Sequence, residues 1–328
     1  MRKKNPPVLV DPVDPNPALS RPQLMKLIAK FKRPPEVRWL RTGIHALDLA
    51  CGGGIPIGRC IEVFGSESAG KSLLAWTIAA VVQRLGGVII LFDLEATAPA
   101  EFMRLVGVNV ETLIMPQETP RTVEELRESL KDIVSQIRAV DKDVPILAIW
   151  DSVAATSANG EWEDLDTYEV KANVGARAKA MSEFFRKFTL YLAKEDITLI
   201  CVNQIREKIG VLYGKKTDSP GGMGLKFHAS MRIELNGGKR VELNGKAVGR
   251  VCYASVVKNK CASPFRKAEL NIMVNKGYDH HAGLLEILID SGRVKKEHGG
   301  FSIGEKKYKA DELAEAVKEN PDLLKEWL

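Results

Sequence analysis

The sequence predicts an α/β fold with a mostly parallel central sheet and helices on both faces. Three observations predict it. Between about residues 44 and 204, short apolar runs of strand length alternate with longer helical stretches, the order that repeated β-α-β units produce. Several runs, such as 88–92, 145–150 and 197–202, are apolar without alternation, as strands covered on both faces are. Between the strand at 59–64 and the helix at 71–85, Gly65-Ser66-Glu67-Ser68-Ala69-Gly70-Lys71-Ser72 fits G-x-x-x-x-G-K-[ST] at every fixed position.

Residues 1–22 are rich in proline, which denies a helix its N–H, so an extended arm is expected. A short amphipathic helix is expected at 22–32, with Leu24, Leu27, Ile28 and Phe31 on one face and Pro34-Pro35 as its stop. That face needs a cover, either the chain's own core or a neighbouring subunit. The helix after the glycine loop is apolar nearly all round and stops at Gly86-Gly87. Thr122 with Glu125 reads as a capping box opening a helix to about Ala139, and a further helix is expected at 175–194. After residue 225 strands are expected at about 229–236, 249–258 and 267–274, with hairpin turns at Asn236-Gly237-Gly238 and Asn244-Gly245. A small lysine-rich α/β segment follows from 276.

The composition, 45% hydrophobic and 27% charged over 328 residues, is that of a globular chain, and the net charge of +6 only hints at an acidic partner. Five cysteines, an odd number without a C-x₂-C pair, argue against a disulfide framework or zinc site and suit a reducing cytoplasm. No apolar signal core or membrane-length run is present, so a cytoplasmic protein is expected.

In parallel α/β folds, ligands bind beyond the carboxyl ends of the strands, and the polar residues of this sequence gather there. The glycine loop offers backbone N–H groups and a helix N-terminus to phosphates. Lys71 suits the β and γ phosphates of a nucleoside triphosphate, and the Ser72 hydroxyl suits Mg²⁺. Asp151 ends a strand where a carboxylate can hold Mg²⁺. Glu95 is placed to align an attacking water, with Asp93 its competitor by position. Gln204 can sense the γ-phosphate and pass the change to the loop at 205–225. That loop carries five basic residues against Glu207 and Asp218 if Lys226 is included. It reads either as a mobile track for single-stranded nucleic acid or as a solvated loop. Lys258 and Lys260 share one face of a strand and, on charge alone, read as a solvated edge.

Together these motifs resemble the RecA recombinase family, its bacterial and phage branch, over roughly residues 40–275. The resemblance rests on Gly52–Arg59, Gly65–Ser72, Asp93-Leu94-Glu95, Trp150–Ala155, Asn203–Val211, Gly221-Gly222, Leu225-Lys226-Phe227 and Val256–Lys260, with Pro264-Phe265 behind. It implies a RecA-type ATPase core over 41–275, an N-terminal arm and oligomerisation helix over 1–40, and a small C-terminal domain over 276–328. It implies DNA-dependent ATP hydrolysis, helical filaments on single-stranded DNA, and strand exchange with a homologous duplex. Glu95 becomes the catalytic carboxylate, and Phe102 takes a position where the family usually has a Tyr against the adenine.

The resemblance makes 205–225 the second DNA-binding loop, with Arg206, Lys208, Gly210, Val211, Tyr213, Gly221 and Gly222 as its candidate contacts. The first loop becomes about 157–175, with Lys179 and Arg177 beside it. Lys258 and Lys260 would reach a neighbouring subunit's ATP, and Phe227, Leu27, Ile28 and Phe31 become interface candidates. The acidic run at 161–166 and the missing acidic tail suggest a divergent or phage-encoded member. A ring-shaped motor and an ATP-gated filament regulator are the rival readings. The Lys258-Asn259-Lys260 signature weighs against the first, and intact Lys71, Ser72, Glu95 and Asp151 against the second.

Overall fold

The computed structural model describes residues 21–30, 36–96, 98–159, 175–207, 217–218, 222–243, 245–283, 288–289, 292, 294–297, 299–303, 306–309 and 312. It divides into two units, Met1–Glu36 and Val37–Leu328. In the first, α1 (Arg21–Ile28) is shorter than the predicted helix and buries none of its residues. It closes with a tighter turn, Lys30 N–H donating to the Leu27 carbonyl at 3.0 Å. Leu24, Leu27 and Ile28 are exposed, and Phe31 lies outside the described residues.

The second unit opens with β1 (Trp39–Leu40), α2 (His45–Cys51) and β2 (Ile55–Pro56), where β1 and β2 pair antiparallel. The predicted alternation follows as β3 (Cys60–Gly65), α3 (Lys71–Arg84), β4 (Val88–Asp93), α4 (Ala100–Leu105), β5 (Leu113–Ile114), α5 (Val123–Val140), β6 (Ile146–Asp151), α6 (Ala176–Lys194) and β7 (Ile197–Gln204). Next, β8 (Arg206–Glu207) pairs with β9 (Thr217–Asp218), and α7 (Gly222–His228) leads into β10 (Met231–Leu243), β11 (Lys246–Asn259), β12 (Lys267–Met273) and β13 (Gly277–Tyr278). One nine-stranded sheet results, in the order β13-β12-β11-β10-β3-β7-β6-β4-β5. It is parallel from β10 through β3 to β5 and antiparallel from β10 to β13.

Apolar side chains pack on both faces. One core joins α2 and α3 to the sheet through residues such as Leu47, Leu74, Ile78 and Ile233; the other joins α5 and α6 through Leu130, Trp150, Phe184 and Phe185. The N-terminus of α5 is capped as expected, Thr122 Oγ1 accepting from Glu125 N–H at 3.2 Å. The Glu125 carboxylate reaches back one residue further than expected, to Arg121 N–H at 2.7 Å.

Two local expectations are corrected. The predicted turn at Asn236-Gly237-Gly238 lies inside β10, which runs on with a register shift between Gly237 and Arg240. The glycines serve a bulge, because a Cβ on Gly237 would meet Arg250 and one on Gly238 would meet Tyr253. The other expected turn holds: β10 ends at Leu243 and β11 begins at Lys246, its antiparallel partner. The end of the predicted loop at 205–225 is the helix α7, since buried Gly224 and Leu225 seat it on α6 and tertiary packing overrides weak propensity.

In the C-terminal region, β14 (Lys295–Glu297), β15 (Gly300–Ile303) and β16 (Lys306–Tyr308) form an antiparallel sheet around a small core with Leu288 and Val294.

Candidate nucleotide site and subunit edge

The glycine loop leaves β3 in the middle of the sheet and enters α3, so its N–H groups gather at a helix N-terminus. Gly65 and Gly70 make the cradle possible. A Cβ on Gly65 would lie 1.8 Å from the Leu235 carbonyl oxygen, and one on Gly70, at φ 91°, would strike Ile272 and Tyr278. Lys71 is buried and donates to the Ser66 carbonyl at 2.6 Å. Burial pulls its ammonium pKa below the usual range, while the carboxylates of Asp151, Glu95 and Glu67 hold it up. A buried lysine tethered by one carbonyl suits an incoming polyanion.

Ser72 acts on Asp151, its hydroxyl drawing the carboxyl pKa down, so two hard oxygen donors of the kind Mg²⁺ requires stand together. Burial pushes the Asp151 carboxyl up to about 6, and Glu95 and Asp93 add to the rise against Ser72 and Lys71. Asp93 and Asp151 are partners across β4 and β6. The strand ends at Asp93, so Glu95 stands in the following bend and not on the strand itself. The two acids have different partners. Asp93 accepts from Ala98 N–H at 3.0 Å, whereas Glu95 Oε1 accepts from Gln204 Nε2 at 3.1 Å and from the Ser152 hydroxyl. Glu95 is therefore wired to Gln204, the last residue before the 205–225 segment. Asn203 steadies that residue, its Oδ1 accepting from Gln204 N–H at 3.0 Å while its Nδ2 donates to buried Glu62 at 3.0 Å.

Phe102 on α4 is about one-third exposed and meets the Trp76 ring edge-on at 5.9 Å. It lines a cleft of about 630 Å³ with Arg240, Arg250, Ile272 and Met273. Ser152, part of the Trp150–Ala155 motif, also touches the site through Glu95, as do Arg250, Cys252 and Tyr278, which were not singled out in the sequence. No local motif marks these last three, because they arrive from strands far along the chain.

Lys258 and Lys260 are not at this cradle. Gly65 is level with Leu235 and Ala254, whereas Glu62 is level with Arg232 and Lys258. Lys258 thus lies two strands across and three residues, roughly 10 Å, back from the loop. Its Nζ donates to the carbonyls of Lys226 (2.6 Å) and Phe227 (2.8 Å), and Lys260 Nζ donates to Phe227 at 3.0 Å. The two lysines therefore cap the C-terminus of α7, where cations are favoured, and are more than a solvated edge. Desolvation, then Lys260 and Arg232, push the Lys258 pKa down to about 8. Phe227 itself is exposed.

The model of the RecA N-terminal domain family matches residues 18–279. The chain belongs to the RecA family. Its relatives named Protein RecA include that of Thermus thermophilus, 40% identical over 295 residues, which cover 89% of this chain and 84% of that one. The Thermus aquaticus protein is 38% identical over the same shares, and that of Acidothermus cellulolyticus 34% over 92% and 85%. The expected RecA-type core is the fold observed, and the protein is a recombinase of DNA recombination and repair. The RecA family is in general one of ATP-binding, Mg²⁺-dependent ATPases.

Of the candidate DNA contacts, Lys179 is exposed on α6, while Arg177 Nη2 donates to the carbonyls of Val153 (2.6 Å) and Ala154 (3.1 Å). Gly222 opens α7 and the Arg206 backbone lies in β8. Lys208, Gly210, Val211, Tyr213 and Gly221 lie outside the described residues.

Proposed function

We propose that this chain assembles into ATP-bound helical filaments on single-stranded DNA, pairs that DNA with a homologous duplex, exchanges strands, and hydrolyses ATP when DNA is bound. The segment before residue 41 serves assembly, through Leu27, Ile28 and Phe31, the core at 41–275 holds the nucleotide, and 276–328 forms a small accessory domain. The observation that carries the reading is that the residues read as nucleotide machinery lie in two regions of the protomer. Lys71, Ser72, Asp151, Glu95 and Gln204 converge at the strand ends, while Lys258 and Lys260 stand well back from them.

In this reading Gly65–Ser72 cradle the triphosphate, Lys71 leaves the Ser66 carbonyl for the phosphates, and Phe102 stacks on the adenine. Ser72 and Asp151 would hold Mg²⁺, which when bound neutralises charge on the phosphate oxygens. Glu95 accepts a hydrogen bond from the attacking water and aligns it. Gln204, already joined to Glu95, relays the state of the γ-phosphate to the DNA loop at 205–225. Lys258 and Lys260 come from the next subunit and stabilise charge on the transferring phosphoryl group, with Phe227 beside them at the interface. Arg206, Lys208, Gly210, Val211, Tyr213, Gly221 and Gly222 line the DNA path, with Arg177 and Lys179 next to the first loop. The site of action in this reading is the cytoplasm; no helix among the described residues is long and apolar enough to cross a membrane.

A strand-exchange assay tests this. Joint molecules should form from single strands and homologous duplex with ATP and Mg²⁺, and not with heterologous duplex. Equal yields with both duplexes, or none with either, would overturn the proposal; closed rings instead of open filaments by microscopy would favour a ring motor.

A further inference from the structure

A loop that points its N–H groups at phosphates must turn its carbonyls outward, and each outward carbonyl then needs a donor. Four carbonyls of this loop are met by side chains. Lys71 Nζ holds Ser66 at 2.6 Å, Arg250 Nη1 holds Ser68 at 2.7 Å, the Cys252 thiol holds Ala69 at 3.2 Å, and the Tyr278 hydroxyl holds Gly70 at 3.1 Å. Only Lys71 belongs to the motif. Arg250 and Cys252 stand two apart on β11 and so share a face, and Tyr278 comes from β13. Burial raises the Cys252 pKa to about 11 and drives that of Tyr278 well above its usual range, so both remain protonated donors.

We propose that Arg250, Cys252 and Tyr278 form a clamp, built by the antiparallel half of the sheet, that sets the phosphate loop in its anion-binding shape before nucleotide arrives. Arg250 is its main positioning residue. Its contact is the charge-assisted one, and it grips Ser68, which is held at φ 53°. It also lines the cleft that contains Phe102, so it stands between the loop and the side on which the base would lie. Without the clamp, nucleotide has to order the loop as it binds, and affinity falls accordingly. This inference rests on the reading of the loop as the nucleotide site.

The test is calorimetric titration of MgADP, without DNA, into wild type, Arg250→Ala, Arg250→Lys and Tyr278→Phe, with thermal unfolding measured alongside. Arg250→Ala should weaken MgADP roughly tenfold, about 1.4 kcal/mol. Arg250→Lys should recover most of that, and Tyr278→Phe should cost about threefold. DNA-stimulated hydrolysis by Arg250→Ala should show KM raised about tenfold, with kcat changed much less. The clamp is overturned if Arg250→Ala binds MgADP like wild type. It is equally overturned if Arg250→Lys loses as much as Arg250→Ala while both melt well below wild type, since that pattern marks a purely structural tie. Failure of wild type to bind MgADP would instead remove the nucleotide reading beneath it.

Discussion

Replacing Asp151 by asparagine should stabilise the nucleotide-free protein and abolish its response to Mg²⁺ and ATP. Burial raises this carboxyl from 3.8 to about 6, so the ionised form is disfavoured in the folded state. Because the folded pKa lies above the unfolded one, the cost of ionising Asp151 is absent below about 3.8, grows as pH rises, and is complete above about 6. At 1.36 kcal/mol per pKa unit, that cost is about 3 kcal/mol at pH 7.5 and about 1.6 at pH 5. An uncharged amide of the same shape escapes it. Urea unfolding of both proteins without nucleotide should therefore show Asp151→Asn more stable by about 3 kcal/mol at pH 7.5, and by roughly half that at pH 5. Adding MgATP should stabilise wild type and leave the variant nearly unmoved, because the carboxylate beside Ser72 is gone. A variant no more stable than wild type at pH 7.5, or a gain that does not shrink at pH 5, would refute the argument that the site holds a strained carboxylate in readiness for a cation.

Glu95→Gln should keep ATP-dependent filaments while slowing turnover by on the order of a hundredfold or more, and near-normal hydrolysis would remove Glu95 from the catalytic role. Lys258→Ala with Lys260→Ala should reduce ATP-dependent assembly seen by light scattering or microscopy. Both lysines cap α7, so a fall in protomer stability of about 1 kcal/mol is expected alongside, and normal assembly would return them to a purely capping function. Thr122→Ala should lower stability by about 1 kcal/mol through loss of the α5 cap, with MgADP affinity unchanged; a neutral effect on urea unfolding would show the cap to be redundant.

The alternation of apolar strands with helices was legible because each parallel strand must be covered on both faces, and that demand is written into contiguous residues such as Ile146–Trp150. The glycine loop was legible for the same reason: cradle, lysine and hydroxyl are neighbours in the chain. The short elements β1, β2, α2 and β5 carry too few residues to show a period, and α7 is rich in glycine and forms because α6 receives it. The run Asn236-Gly237-Gly238 has the composition of a turn, but its glycines accommodate Arg250 and Tyr253 lying across a bulged strand. A local signal of that kind cannot distinguish a turn from a close approach by a side chain many residues away.

The sequence by itself determined the α/β class, the phosphate loop and the identity of the acids and amides at the strand ends, since these depend on spacing along one stretch of chain. Tertiary structure decided how they are coupled. It joined Glu95 to Gln204 and Ser152, gave Asp93 a different partner in Ala98, and set Lys258 and Lys260 back against α7. It also brought Arg250, Cys252 and Tyr278 onto the loop's carbonyls. The physical reason is that hydrogen-bond partners and dielectric surroundings are fixed by sheet order and register, which bring together residues as distant in the chain as Gly70 and Tyr278, 208 positions apart.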